Sequence, residues 1–331
     1  MGDFFELTPR FAQERIGLGA TLDRARFAAP RPFGDRILGD HRLRTVMEYS
    51  RSIIDIIRER TSRRSYAPRA VEAEKREAIE RMFSVVQGPF GGRARFAILD
   101  TSGWGEGKIN ALGTYGTIQG ATLFIVGMIE RGEHDMEDFG CRFEKIILRA
   151  TDLGLGTCWI GGIFNRTRFA SRAGVRDNEV LPAISPLGYA TERRSVADSV
   201  VRWSAGSRSR RPWADLFFER DFDRALEAGA AGRYAEPLEM LRLGPSASNR
   251  QPWRVVKEQG RDIFHLFLRR SRGYDKLIKA VDLQRLDMGI AMSHFELAAS
   301  ELGLEGGWRA SPPRLAFVPE RTEYVQSWIG G

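Results

Sequence analysis

Two segments of the 331-residue chain repeat each other at an offset of 149 residues. Residues 138–159 read DFGCRFEKIILRATDLGLGTCW, and residues 287–308 read DMGIAMSHFELAASELGLEGGW. Eight of the 22 positions are identical, in register and without a gap. The apolar residues Phe139, Phe143, Ile146, Ala150 and Leu153 correspond to Met288, Met292, Phe295, Ala299 and Leu302. That spacing puts each set on one face of a helix. Each helix is expected to open at an Asp suited to capping, Asp138 or Asp287. Each is expected to stop at Leu-Gly-Leu, where glycine takes a left-handed conformation. Two unrelated amphipathic helices would share a stripe, but not coincident Asp, Gly-Leu and Trp positions. The chain is therefore read as a duplicated domain, one polypeptide supplying both sides of an interface that two subunits would otherwise build.

The rest of the chain is organised around this repeat. Residues 1–46 are rich in Arg, Gly and Pro with weak periodicity, and are read as an extension outside the fold. The first half spans 47–218 and the second 219–331. In the first half, Ile53, Ile54 and Ile57 mark a helix, and a second helix is expected over 72–86. Strands are expected over 95–100 and 121–129, both rich in β-branched or aromatic residues.

Composition excludes several classes. The longest apolar run, ATLFIVGMI at 121–129, is too short to cross a bilayer, and no secretory signal pattern opens the chain. The two cysteines, Cys141 and Cys158, form neither a disulfide framework nor a CxxC metal site, and fit a reducing, cytoplasmic location. The four histidines lack paired-ligand spacing, and no Ser-His-Asp arrangement can be argued. A net charge of +8 raises nucleic-acid binding, but the basic residues are overwhelmingly arginine and interleaved with acids. No nucleic-acid or membrane partner is expected. Only 199–214, with Arg202, Arg208, Arg210 and Arg211 and no acid, is locally basic, which suits one phosphate. The sequence GWGEGK at 103–108 lacks the Ser or Thr of a phosphate loop.

Two motifs carry chemistry. In RTSRRSY at 60–66, alternate residues Arg60, Ser62 and Arg64 point one way if the segment is extended, offering two guanidiniums and a hydroxyl. Such a set can hold a phosphate or an electron-rich ring edge, and is also common in solvated loops. GPSASNRQPW at 244–253 follows a helix and precedes a strand. Pro245, Ser246 and Ser248 set a tight turn, and Asn249 and Gln251 add amide donors and acceptors toward a polar ligand.

These two motifs, with GLGTCWIGG at 154–162, resemble the three signatures of the nitroreductase family of FMN enzymes. The resemblance runs from about Met47 to near the C-terminus and is strongest to the fused TM-nitroreductase branch. It implies an α+β fold with two mixed, mostly antiparallel sheets flanked by helices and packed through long central helices. It also implies FMN as cofactor, with Arg60, Ser62 and Arg64 on its phosphate and pyrimidine side. Arg208 and Arg210, in RSRRP, would complete the phosphate clamp, and Pro245, Ser246, Ser248, Asn249 and Gln251 would face the flavin from the other half. Ile160 and Gly162 would flank the ring, and the Gly161 amide would donate to flavin N5. The family more often has a larger residue at the Gly161 position, a change that a backbone donor tolerates.

The polar turn is intact only in the second half. In the first half, GPFGGRARF at 88–96 keeps Gly-Pro and an aromatic residue but loses the polar side chains. The resemblance thus implies one composite FMN site in a monomer acting as a pseudo-dimer. Its activity would be ping-pong hydride transfer from NAD(P)H through flavin N5 to a small-molecule acceptor, such as a nitroaromatic or quinone. A flavin-binding protein without NAD(P)H turnover is the alternative.

Overall fold

Both copies of the repeat form the long helices of the molecule. A computed structural model describes residues 49–102, 118–162, 164–191, 209–272 and 281–331. The first-half helices are α1 (Ile53–Glu59), α2 (Ala73–Val85), α3 (Asp135–Asp152) and α4 (Arg166–Ala173). The second half contributes α5 (Ala235–Leu243) and α6 (Leu283–Glu301). The repeat helices are α3 and α6. Four stripe residues of each are fully buried, while the fifth pair, Leu153 and Leu302, lies at the helix ends, and Leu302 is exposed. Gly154 and Gly303 follow with φ of +73° and +69°, the expected left-handed stops.

The expected starts were wrong. α3 begins after His134, and α6 is capped by Asp282, whose side chain accepts from the Gln284 and Arg285 amides. Asp138 and Asp287 lie inside their helices and are buried. A buried carboxylate needs donors, and both find them on loops packed against the helix.

Two antiparallel-dominated sheets receive these helices. The first has the order β1 (Ala94–Asp100), β2 (Leu123–Glu130), β5 (Ile184–Gly188), β3 (Gly156–Thr157), with β4 (Glu179–Val180) pairing β2. The second has the order β6 (Phe217–Glu219), β7 (Trp253–Lys257), β8 (Ile263–Arg269), β10 (Thr322–Gly330), β9 (Gly306–Arg309). β6 runs parallel to β7, with Phe217 opposite Val255. The expected boundary at residue 218 therefore falls inside a strand that already belongs to the second sheet. The fold is the mixed, mostly antiparallel α+β architecture expected.

The two halves meet where α3 crosses α6. Gly140 and Gly289 occupy the same repeat position, and each lies against the other helix's backbone. A Cβ at Gly289 would overlap the Glu137 carbonyl oxygen, and one at Gly140 the Leu286 carbonyl oxygen. This explains the shared glycine of the repeat: the helices cross at backbone contact. The shared tryptophans also act in parallel. Trp159 Nε1 donates to Glu144, and Trp308 Nε1 donates to Glu296 at 3.1 Å. Each carboxylate in turn holds the opposite helix, Glu144 through His294 at 2.9 Å and Glu296 through Lys145 at 3.2 Å. Helix α1 packs its four isoleucines against Leu148 of α3, Met240 of α5, and Leu297 and Ala298 of α6. It therefore delivers its C-cap residue, Arg60, to the seam between the halves.

Candidate functional site

Arg60 caps the C-terminus of α1 with φ −55° and ψ 120°, which turns the chain from helix to an extended path. The extended path is tied on both sides. Ser62 bridges Thr157 in parallel, the Arg63 amide donates to the Thr157 carbonyl at 2.7 Å, and the Arg64 carbonyl accepts from the Gln119 amide at 2.8 Å. The alternation expected of Arg60, Ser62 and Arg64 thus rests on an extended backbone. Arg60 is buried, with Nε 3.7 Å from the carboxylate of fully buried Glu144. Among the described residues, that Nε has no hydrogen-bond partner. Glu144 is already shared with His294 and Trp159, so Arg60 retains capacity for another acceptor.

The turn after α5 is strained and well fastened. Ser248, Asn249 and Gln251 all have positive φ, at 49°, 52° and 49°. Left-handed conformations cost non-glycine residues about 1 kcal/mol or more each. Opposing that cost, Ser246 Oγ accepts from the Gln251 amide at 2.9 Å, and the Ser246 carbonyl accepts from the Asn249 amide at 2.9 Å. Gln251 Nε2 donates to Asn249 Oδ1 at 3.1 Å. Beneath the turn, both Asp287 oxygens face the Ala247 amide, at 2.9 and 3.1 Å. Burial pushes the Asp287 carboxyl well above the usual range, against the opposing effect of that amide. Asp138 does the same work in the first half, accepting from the amides of Phe90 and Gly92. The two aspartates, read as helix caps in the sequence, are loop anchors.

Arg210 joins the motifs. Its guanidinium donates to the Leu243 carbonyl at 3.1 Å and to Asn249 Oδ1 at 3.4 Å. Asn249 Nδ2 returns a bond to the Ser209 carbonyl, and Gln251 Oε1 accepts from the Arg211 amide at 2.8 Å. Arg210 is pushed down to about 10, first by burial and then by the positive charges of Arg60 and Arg242. Arg242 is already paired with Glu239. The charge of buried Arg60 therefore acts on Arg210, which is itself largely desolvated at a polar turn. An anion between them would offset both penalties.

The third motif reaches the seam through backbone. Ile160 and Ile184 exchange hydrogen bonds of 2.9 and 3.0 Å. The Gly161 carbonyl is turned toward Arg166 and accepts from its guanidinium. Gly161 abuts Leu283, the first residue of α6, and a Cβ there would lie 2.7 Å from a Leu283 methyl. Gly162 is exposed, as is Ser248, while Pro245 and Ser246 are half-buried. Arg208 and the 103–108 segment lie outside the described residues. Cys158 is buried beside β5, with its amide donating to Ser185 Oγ, consistent with a filler role.

Sequence reasoning missed Glu144 and His294, which stand behind Arg60. It also missed a Ser-His-Glu arrangement. His265 lies 2.7 Å from Ser327 Oγ and 3.2 Å from Glu258. Ser327 is fully buried and also bonded to Tyr324 and the Ser311 carbonyl, so this group ties strands together and offers no nucleophile to solvent. Among the described residues, no cluster of His, Cys, Asp and Glu could hold a metal ion, and no helix is long and apolar enough to cross a membrane.

The model of the family described as "Putative TM nitroreductase" matches residues 52–299. The chain belongs to this family. The match takes in all three motifs, at 60–66, 154–162 and 244–253, the repeat helix α3 and most of α6, and it places the chain among oxidoreductases. A structure similar to this chain is that of a putative nitroreductase from Thermotoga maritima, 20% identical, with a TM-score of 0.55. The similarity covers 90% of this chain and 99% of that one, and it shows the fold. An FMN-dependent nitroreductase from Clostridium difficile is 24% identical over 43% of this chain and 90% of that one, with a TM-score of 0.37. A nitroreductase family protein from Clostridium novyi NT is 22% identical over 43% and 87%, with a TM-score of 0.36. No curated protein sequence matches the chain.

Proposed function

We propose that this chain is an FMN-dependent oxidoreductase with one composite flavin site per polypeptide, formed at the seam of a duplicated domain. The observation that carries this reading is Arg210 held on Asn249 beside Gln251, with the charge of buried Arg60 acting on it. The donor set fits FMN. The partnerless Arg60 Nε and the depressed Arg210 suit a phosphate, and the amide side chains of the turn suit the polar edge of a flavin ring. FMN bound there would supply a two-electron carrier between NAD(P)H and a small acceptor such as a nitroaromatic or quinone.

Each protein group has a stated part in this reading. Arg60 and Arg210, with Ser62, Arg64 and Arg208 along the same two segments, hold the phosphate and the pyrimidine side. Pro245, Ser246, Ser248, Asn249 and Gln251 form a rigid polar wall, held by Asp287. Ile160 and Gly162 position the backbone at Gly161, whose amide is the donor assigned to ring N5. The Ile160 carbonyl, which shares a peptide plane with the Gly161 amide, accepts from the Ile184 amide and so fixes the direction of that donor. No side chain is required as a proton donor in this scheme. A monomer suffices, because the seam is internal, and both cysteines are buried thiols, as suits the cytoplasm.

The test is the visible spectrum of the purified protein before and after anaerobic NADPH or NADH. About one flavin per chain that bleaches supports the proposal. Two flavins per chain would contradict the single composite site. Flavin that never bleaches would favour a binding protein without turnover, and failure to bind FMN would overturn the site assignment.

A further inference from the structure

A second group of arginines lies beside the seam and is not used by the flavin reading. A cavity of about 270 Å³ is lined by Arg211, Arg250, Arg254, Arg269, Arg270 and Gln251. Arg270 is neutralised by Asp282 and Glu323, each at 2.6 Å. Among the described residues, the other four guanidiniums form no ion pair within 4 Å. Arg254 is the most constrained of them. It stands on the interior strand β7, is 5% exposed, and its Nη1 donates to the Gln251 and Trp253 carbonyls. Its Nε is buried with no hydrogen-bond partner. Burial, then the charges of Arg211 and Arg269, push Arg254 down to about 10, and the nearby Asp215 only partly opposes them.

The two arginine groups are separate. Arg210 and Arg211 are consecutive, yet the Arg210 guanidinium goes to Leu243 and Asn249, whereas Arg211 lines the cavity. Gln251 stands between them, with Nε2 donating to Asn249 and Oε1 accepting from the Arg211 amide. Gathering these four guanidiniums around one space costs repulsion, and desolvation at buried Arg254, which a multiply charged oxyanion would offset through planar, forked hydrogen bonds. The volume suits a tetrahedral oxyanion with a few waters.

We propose that this cavity is a phosphate-binding site distinct from the flavin site, taking free phosphate or the phosphate group of a small ester. It stands whether or not FMN binds at the seam. The experiment is calorimetric titration of inorganic phosphate into the flavin-loaded full chain at constant ionic strength, repeated on an Arg250→Gln/Arg269→Gln variant and on Arg210→Gln. Arg250 and Arg269 are exposed, so the double variant should fold, and its melting temperature without phosphate should be unchanged or raised by relief of repulsion. Saturable binding is expected, weakened at least about tenfold in the double variant and unchanged in Arg210→Gln. Competition by NADP⁺ but not NAD⁺ would identify the phosphate as one carried on a nucleotide, and absence of competition would identify it as free phosphate. No saturable binding, or binding lost in Arg210→Gln and kept in the double variant, would overturn the proposal. Flavin content, read by absorbance in the same samples, reports separately on the seam.

Discussion

The loop at residues 88–93 and the turn at residues 244–250 stand at matching places in the two halves, and they differ in almost everything except what holds them down. Each leaves a helix through Gly-Pro, enters a strand, and gives backbone amides to an aspartate at the same position of a central helix. In the second half that anchor supports a run of left-handed serine, asparagine and glutamine linked to Arg210. In the first half it supports Phe90, which stacks on His134 at 4.2 Å between centroids, and two glycines. The scaffold is thus separable from the chemistry it carries. The aspartate maintains a loop's position whether or not the loop has polar side chains to present. A close helix crossing maintains the seam for either half.

The largest effect should come from breaking what the halves share. Gly289→Ala places a methyl on the Glu137 carbonyl, and the helices must separate, at an expected loss of about 3 kcal/mol or more in urea unfolding. Gly140→Ala should behave in the same way, and wild-type stability in both would refute the close crossing.

The next effect should be one-sided. Arg210→Ala and Arg60→Ala are each expected to weaken FMN binding by about 10- to 100-fold, measured by flavin fluorescence titration. Exchange of Arg142, which donates to the Gly92 carbonyl beside the first-half loop, should leave flavin affinity unchanged.

The paired aspartates sharpen the comparison further. Asp287→Asn and Asp138→Asn should each cost about 1–2 kcal/mol through imperfect anchoring at neutral pH. Only Asp287→Asn should also lower flavin affinity. The Asp287 pKa is raised in the fold by burial, so the folded protein retains a proton that the unfolded chain has released. Its contribution to stability is present at low pH and declines as pH rises from the ordinary carboxylate range through the raised value. Midpoints of unfolding measured across that range should lose this slope in Asp287→Asn. An unchanged slope would mean that the carboxyl titrates normally.

The smallest effect is expected at Ser246→Ala. It removes the acceptor for the Gln251 amide and should cost about 1 kcal/mol, with a modest loss of flavin affinity. A neutral result would show that Asp287 alone holds the turn.

The repeat already showed the long helices, their buried faces and their left-handed stops, and the motifs marked both arms of the candidate site. These features are local: periodicity records which face is buried, and glycine after an apolar run records where a helix must stop. Even so, Asp138 and Asp287 were misread, because an acidic residue in the first turns of a helix looks the same as a cap until a loop is seen against it.

What the sequence determined by itself is the repeat at an offset of 149 residues and the single intact polar turn at 244–253. Only the tertiary structure decided that the charge of Arg60 acts on Arg210, that Gly140 and Gly289 allow the helices to touch, and that Arg211 lines a cavity while Arg210 is held on Leu243 and Asn249. The reason is physical. A side chain's type and spacing specify what it can bind and whether it is buried, but burial and charge act between residues far apart in the chain, and their partners are chosen only when the halves pack.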